Sequence, residues 1–337
     1  MRVFQIKTNE AGQRFDKYLK KLLTDASGGF IYKMLRKKNI TLNGHKADGT
    51  EWLQAGDEVK LFFSDETFGK FSGNSRTAAE YEYLKHLKYQ ADAKSTDISG
   101  ELPVIYEDDN ILIINKPSGM LSQKAKPTDI SANEYILSYL ISKGELTEEQ
   151  MSTFRPSVSN RLDRNTSGLL IAGKTLKGLQ EMSDALKERT MQKYYRCIVK
   201  GEVLKRAHIR GWLVKDEKSN KVTVYLQKPG KAQAQEIETE YHPIAVGSGY
   251  TELEVHLITG RSHQIRAHLA SIGHPVAGDE KYGNRGMNKR FREEFQVDSQ
   301  MLHAYRVTFA DGREIKAPCG AEFERVRRGL CMLPVDT

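Results

Sequence analysis

The chain is short of cysteine: its 337 residues include three, Cys197, Cys319 and Cys331. So few, so widely spaced, exclude a disulfide framework and a cysteine-rich metal site, and they fit a reducing compartment. No apolar run approaches the roughly 20 residues that a membrane-crossing helix needs. The N-terminal stretch MRVFQIKTNEAGQR lacks the apolar segment of a secretory signal. A soluble, cytoplasmic protein with no membrane partner is the expectation. No repeat of fixed period is present either, which sets aside solenoids and propellers. Acidic residues are outnumbered, 44 Asp and Glu against 52 Lys and Arg, leaving a net charge of +8. That balance suits a polyanionic partner, because neutralising phosphates releases their counterions. With 39% hydrophobic residues the chain can bury a sizeable core, and its length suggests two domains.

In residues 1 to 63, Phe15, Tyr18, Leu19, Leu22 and Leu23 recur at helical spacing, leaving Arg14, Lys17, Lys20 and Lys21 mainly on other faces. Ile31, Met34 and Leu35 mark a second short helix, with Lys33, Arg36, Lys37 and Lys38 beside them. Ile40-Thr41-Leu42 then runs into Asn43-Gly44, a hairpin-turn dipeptide, and Glu58 to Phe63 reads as a closing strand. One basic helix face is ordinarily just solvated. Repetition over two adjacent helices points instead to RNA phosphates, with Lys17, Lys21, Lys33, Arg36 and Lys37 as contacts. Residues 64 to 100, rich in Ser, Gly, Lys, Asp and Thr, read as a polar linker, helical in part, with Tyr81, Leu84 and Leu87 as its one apolar stripe. From residue 101 to 337, strand-like and helical runs follow without regular alternation. They predict an α+β domain built on a largely antiparallel mixed sheet, joined to a small N-terminal α+β domain.

The segment Asn160-Arg161-Leu162-Asp163-Arg164-Asn165-Thr166-Ser167-Gly168 sets one carboxylate between two arginines in a run dense with turn residues, ahead of an apolar strand. Flanking cations favour the ionised carboxylate that a nucleophile or general base needs; a salt-bridged turn is the plain alternative. A second cluster, Thr259-Gly260-Arg261-Ser262-His263-Gln264-Ile265-Arg266-Ala267-His268, follows another strand. His263 and His268 are five apart, not the four that sets two ligands on one helical face, so a zinc pair is disfavoured. Arg261 and Arg266 suit phosphates, or one of them pairs with Asp163. Gly168 to Thr175 formally satisfies a phosphate-loop pattern. Its four middle residues, however, are themselves the apolar strand, so Lys174 falls at the strand's far end, where its substitution should cost little.

Together these segments resemble the RluA family of RNA pseudouridine synthases. Arg161-Leu162-Asp163 with Thr166-Ser167-Gly168 resembles the family's signature loop, which makes Asp163 the catalytic aspartate by resemblance. Lys193, Tyr195, Val199 and Gly201 match the Lys-Tyr-Val-Gly block, whose tyrosine packs against the target base. Gly260 to Arg266 with His268, then Gly273-His274-Pro275, Gly278-Asp279 and Tyr282-Gly283, match a third block, in which Arg266 is the expected partner of the aspartate. Leu302-His303-Ala304 resembles the last block, so Leu162 and Leu302 are expected to pack at the active site. Arg161, Arg164, Arg261 and His263 are expected to meet RNA. The first 63 residues resemble the small αL-type RNA-binding domain. Two departures stand out: Asn160 where the family usually has His, and Gln123 near where many members place one.

The resemblance implies an isomerase that turns uridine into pseudouridine in a structured RNA, needing no cofactor and no metal, and acting as a monomer. Its layout is nearest to members acting on large-subunit ribosomal RNA. Transfer RNA is the competing substrate. A non-catalytic RNA-binding assembly factor on the same fold is the reading from another class.

Overall fold

The computed structural model describes residues 1–89, 101–231 and 233–335. Apolar spacing in the first part translates directly into structure: helix Phe15–Leu22 buries Phe15, Tyr18, Leu19 and Leu22. Helix Gly28–Arg36 buries Ile31 and Leu35 and starts where the Ser27 hydroxyl accepts from Phe30 N–H. Asn43 and Gly44 both take positive φ, as the hairpin turn between Ile40–Leu42 and His45–Lys46 requires. With Arg2–Gln5 and Glu58–Leu61 they make a four-stranded sheet in the order Arg2–Gln5, Glu58–Leu61, Ile40–Leu42, His45–Lys46. Ile6, Leu53, Val59 and the apolar faces of both helices fill a core of their own.

The stretch expected as a polar linker, helical in part, is helical over Asp65–Ser72 and Asn74–His86. Phe68 is buried in the N-terminal core and Phe71 packs against it, whereas Leu84 is buried in the larger core. The two cores therefore meet at Gly73, whose left-handed backbone ends one helix and begins the next. Helical periodicity is hard to read here because these helices bury so few apolar side chains. Residues 90–100 of the expected linker lie outside the described residues.

Among the described residues the large sheet has twelve strands. Its main path runs Lys221–Tyr225, Ala207–Asp216, Gln235–Gly247, Tyr250–Leu257, Gln192–Lys200, Leu302–Thr308, Ser167–Gly173, Ile111–Lys116, Val104–Glu107. Neighbours along that path are antiparallel except Leu302–Thr308 with Ser167–Gly173. The architecture is thus the α+β, largely antiparallel arrangement expected. At the parallel pair Gly168 has φ +112°, and a Cβ there would lie 2.2 Å from the Ala304 carbonyl oxygen, so only glycine lets the two backbones approach.

The phosphate-loop pattern dissolves in this context. Leu169 to Ala172 are buried strand residues. Lys174 Nζ bridges Glu107 at 2.7 Å and Glu145 at 2.6 Å. The Thr175 hydroxyl accepts from Gly178 N–H and caps helix Leu176–Lys187. Lys174 is nine-tenths buried in that ion pair, so its role at this end of the strand is structural.

Candidate active site

Asp163 sits in the loop that leads into strand Ser167–Gly173, and side chains of the 116–122 turn and of the loop itself tie its backbone in place. Ser122 Oγ donates to Leu162 O and accepts from Leu162 N–H, both at 3.0 Å. Ser118 Oγ donates to Asn165 O at 3.0 Å, and Arg164 Nε donates to Gly119 O at 2.9 Å. Asn160, at one of the two departures from the family pattern, bridges the loop to the strand: its Nδ2 donates to Leu169 O and its Oδ1 accepts from Ile171 N–H. Its amide therefore serves the backbone.

Lys116, the last residue of its strand, is fully buried under this loop. Its Nζ donates to Pro117 O at 2.9 Å, Met120 O at 2.8 Å and Arg164 O at 3.0 Å. Three acceptors match the three N–H groups of an ammonium. Burial pushes this group down to about 7, and the nearby Asp163 carboxylate opposes that fall.

The second cluster folds into the start of helix Gln264–Ser271. Gln264 organises its entry: Nε2 donates to Glu238 O, while Oε1 accepts from Thr259 Oγ1 and Arg261 N–H. His263 precedes the helix in a left-handed backbone, φ 55°. Its Nδ1 lies 2.8 Å from the Tyr282 hydroxyl, and burial lowers its pKa. His268, on the same helix, turns into the core beside Thr239.

Arg266 lies one turn into that helix and joins two carboxylates. Its Nη1 donates to Asp163 Oδ2 at 2.7 Å, while Nε and Nη2 donate to the two oxygens of Asp279 at 2.7 and 2.8 Å. Asp279 also accepts from the backbone N–H groups of Lys281 and Tyr282. Burial would raise the Asp279 carboxyl, but Arg266 and those amides overcome it and hold it below the usual carboxylate range. Burial likewise works against the charge of Arg266, and Asp279 and Asp163 together more than offset it. Among the three, Asp163 alone keeps substantial exposure, at 28% of its side chain.

These groups open into a cleft of about 1170 Å³, large enough for a nucleotide with its neighbours. Asp163, Tyr195, Arg266, Leu162 and Leu302 all line it, as do Arg161, Arg164, Arg261 and His263. Tyr195, Leu162 and Leu302 are buried, whereas the three arginines are exposed. Burial and then Asp163 raise the Tyr195 phenol above its ordinary value, so it stays neutral and offers an apolar face. The arginines flanking Asp163 in sequence do not hold it; the guanidinium that touches it comes from residue 266. Lys17, Lys33, Arg36 and Lys37 lie exposed on the two N-terminal helices, outside the cleft. Lys21 is half-buried, donates to Gln13 Oε1 at 2.8 Å and lies 5.9 Å from the Phe154 ring centre.

Two residues had no role assigned from sequence, Asp279 as the anchor of Arg266 and Lys116 as the clamp of the Asp163 loop. Asp279 stands in the Gly278-Asp279 match to the third block without a role of its own, and Lys116 lies in the Lys116-Pro117 dipeptide that ends its strand. Cations at Lys187, Arg189, Lys193, Lys215 and Lys281 also line the cleft. Among the described residues no group of three His, Cys, Asp or Glu side chains is placed to hold a metal ion.

A protein-family model described as RNA pseudouridylate synthase matches residues 110–271. The ribosomal large subunit pseudouridine synthase C of Rickettsia felis is 31% identical over 309 residues, covering 90% of this chain and 91% of the relative. The protein of the same name from Vibrio vulnificus is 29% identical over 336 residues, covering 98% and 96%. Among solved structures, human RNA pseudouridylate synthase domain containing 4 superposes with a TM-score of 0.57 at 17% identity. It covers 77% of this chain and 97% of its own, a likeness of fold.

Proposed function

Because this chain belongs to the RNA pseudouridylate synthase family, we propose that it converts uridine to pseudouridine in large-subunit ribosomal RNA, with Asp163 acting on the ribose of the target. The observation that carries this reading is the Arg266 fork, which is locked to Asp279 and aims its remaining N–H at a partly exposed Asp163. A carboxylate oriented by a guanidinium inside a cation-lined cleft suits attack at the ribose or removal of a ribose proton. The bond from the ribose to the ring nitrogen breaks, the uracil turns, and carbon five bonds to the ribose, giving up its proton while the freed ring nitrogen takes one up, with no net redox change and no added group. The chemistry calls for no cofactor.

Tyr195 is the stacking face for the flipped uracil, Leu162 and Leu302 keep water from its edges, and Arg161, Arg164, Arg261 and His263 meet the RNA around it. Large-subunit ribosomal RNA is favoured over transfer RNA because relatives matching nearly the whole chain are named for it. The test is to map pseudouridines in ribosomal and transfer RNA from cells lacking the protein, then restore wild type or Asp163→Asn. Loss of particular ribosomal pseudouridines, restored only by wild type, supports the reading. An unchanged ribosomal map with a missing transfer RNA site moves the substrate, and full rescue by Asp163→Asn moves the chemistry.

A further inference from the structure

Asp16, at the start of helix Phe15–Leu22, has a side chain only 4% exposed, yet the groups bonded to it reach solvent. Its Oδ1 accepts from Arg14 Nε at 3.1 Å, and its Oδ2 accepts from the Tyr32 hydroxyl at 3.1 Å and Lys20 Nζ at 3.3 Å. Burial opposes the charge of this carboxylate and the three donors outweigh it. One hidden acid thus fixes two cations and an aromatic ring on a single face.

The loop from Asp48 to Trp52 extends that face. Phe15 N–H and Asp16 N–H donate to Glu51 O and Gly49 O. A Cβ on Gly49 would lie 3.2 Å from Asp16 and 3.4 Å from the Tyr32 ring, so loop and ring are closely packed. Trp52 and Arg14 are opposite partners in an antiparallel bridge, which sets both side chains on the same side. Trp52 is 66% exposed and Tyr32 42% exposed. The glutamate of this loop, Glu51, is turned onto the N–H groups of Asp48 and Gly49. Lys33 and Arg36 are exposed on the same helix as Tyr32.

We propose that Trp52 and Tyr32 form a stacking strip for unpaired RNA bases on the N-terminal unit, with Arg14, Lys20 and Arg36 on the adjoining phosphates and Asp16 as the positioning residue. A protein partner is the other conceivable occupant of exposed aromatics. Interleaved cations over a buried acid favour a polyanion with planar bases, since stacking and phosphate contact act together on single strands. The proposal rests on RNA being the substrate of the chain as a whole.

The experiment measures affinity of the full-length protein for a short unpaired oligoribonucleotide and for a blunt duplex of equal length, over a salt series. Trp52→Ala is expected to weaken unpaired binding about tenfold, the scale of one lost base stack, while duplex binding changes little and the salt slope holds. Trp52→Phe should restore most of the loss. Arg14→Gln should lower the slope of log affinity against log salt by about one. Wild-type affinity in Trp52→Ala, or equal loss on both RNAs, overturns the strip, as does a partner protein whose binding alone responds. This contrast is read without uridine conversion, so it is separable from failure of the pseudouridine map.

Discussion

Asp279 grips Arg266 through two hydrogen bonds, Nε to Oδ2 at 2.7 Å and Nη2 to Oδ1 at 2.8 Å, and this grip decides where the third N–H points. Asp279 lines no part of the cleft, so its contribution is to orientation. Asp279→Ala is expected to slow pseudouridine formation about a hundredfold or more, the scale of an angstrom-sized misplacement. It should also destabilise the fold by about 3–5 kcal/mol, because the remaining guanidinium is buried without its partner. Single-turnover conversion alongside thermal unfolding separates the two losses; wild-type turnover in this variant ends the positioning role.

Asp163→Asn should behave differently. The replacement is isosteric and partly exposed, so unfolding temperature and RNA affinity should stay near wild type while conversion becomes undetectable. Arg266→Lys keeps the charge but not the fork, and conversion is expected to drop by at least a hundredfold, as with a lost oriented contact. Assays on purified protein with a ribosomal RNA fragment check both, and conversion by Asp163→Asn above background would move the chemistry to another residue.

Lys174→Ala makes the opposite case. It removes the bridge between Glu107 and Glu145 at the end of the strand remote from Asp163, so conversion of uridine should hold. Stability should fall by about 2 kcal/mol, between the ranges for surface and buried pairs. Urea unfolding reads the loss directly; an unchanged midpoint would make the pair incidental.

His303 supplies a pH dependence. It is buried between Ser167 Oγ at 2.8 Å and Ala317 O at 3.3 Å, and burial lowers its pKa to about 4 from 6.5. Between those values the unfolded chain binds a proton that the folded chain refuses, so stability is full above 6.5 and falls as pH drops toward 4. The interval corresponds to about 3 kcal/mol. His268, lowered to about 4 by burial, adds loss in the same window. Urea midpoints from pH 7 to 4.5 should fall less steeply in His303→Gln, once its own shift at pH 7 is subtracted; parallel curves would exclude His303 as a source.

Removing the N-terminal unit tests where the chain divides. A cut after residue 63 removes the core that buries Phe68 and covers Phe71, whereas a cut after Gly73 follows the boundary between the two apolar clusters. A protein starting at residue 74 is expected to stay soluble, bind RNA more weakly and show a flatter salt slope. One starting at residue 64 should aggregate more readily. Equal solubility of the two would deny that Gly73 marks the division.

Much of this was legible because local rules and the fold agree. Helix Phe15–Leu22, the Asn43-Gly44 hairpin and the strand behind Asp163 follow from spacing and turn chemistry. Strand Gln235–Gly247 was hidden, although its buried positions alternate, because the inward residues include Thr239 and a proline. Pro243 sits where the register shifts against Tyr250–Leu257, a place that tolerates it. Asp163, Tyr195 and Arg266 were named from motif resemblance, and the structure brings them to one cleft. Asp279 was matched only as part of a block and Lys116 not at all, since each acts by holding another residue, and no pattern in a single sequence marks which acid anchors which arginine.

Among the described residues, the one parallel pairing in the large sheet joins His303 to Ser167 across a separation of 136 residues. Closing so long a loop costs more chain entropy than a local contact does. As the protein emerges from the ribosome, the Asp163 loop is made early, but its supporting strand arrives only when Leu302–Thr308 leaves the exit tunnel. Until then the nascent chain carries the signature sequence without an assembled catalytic centre.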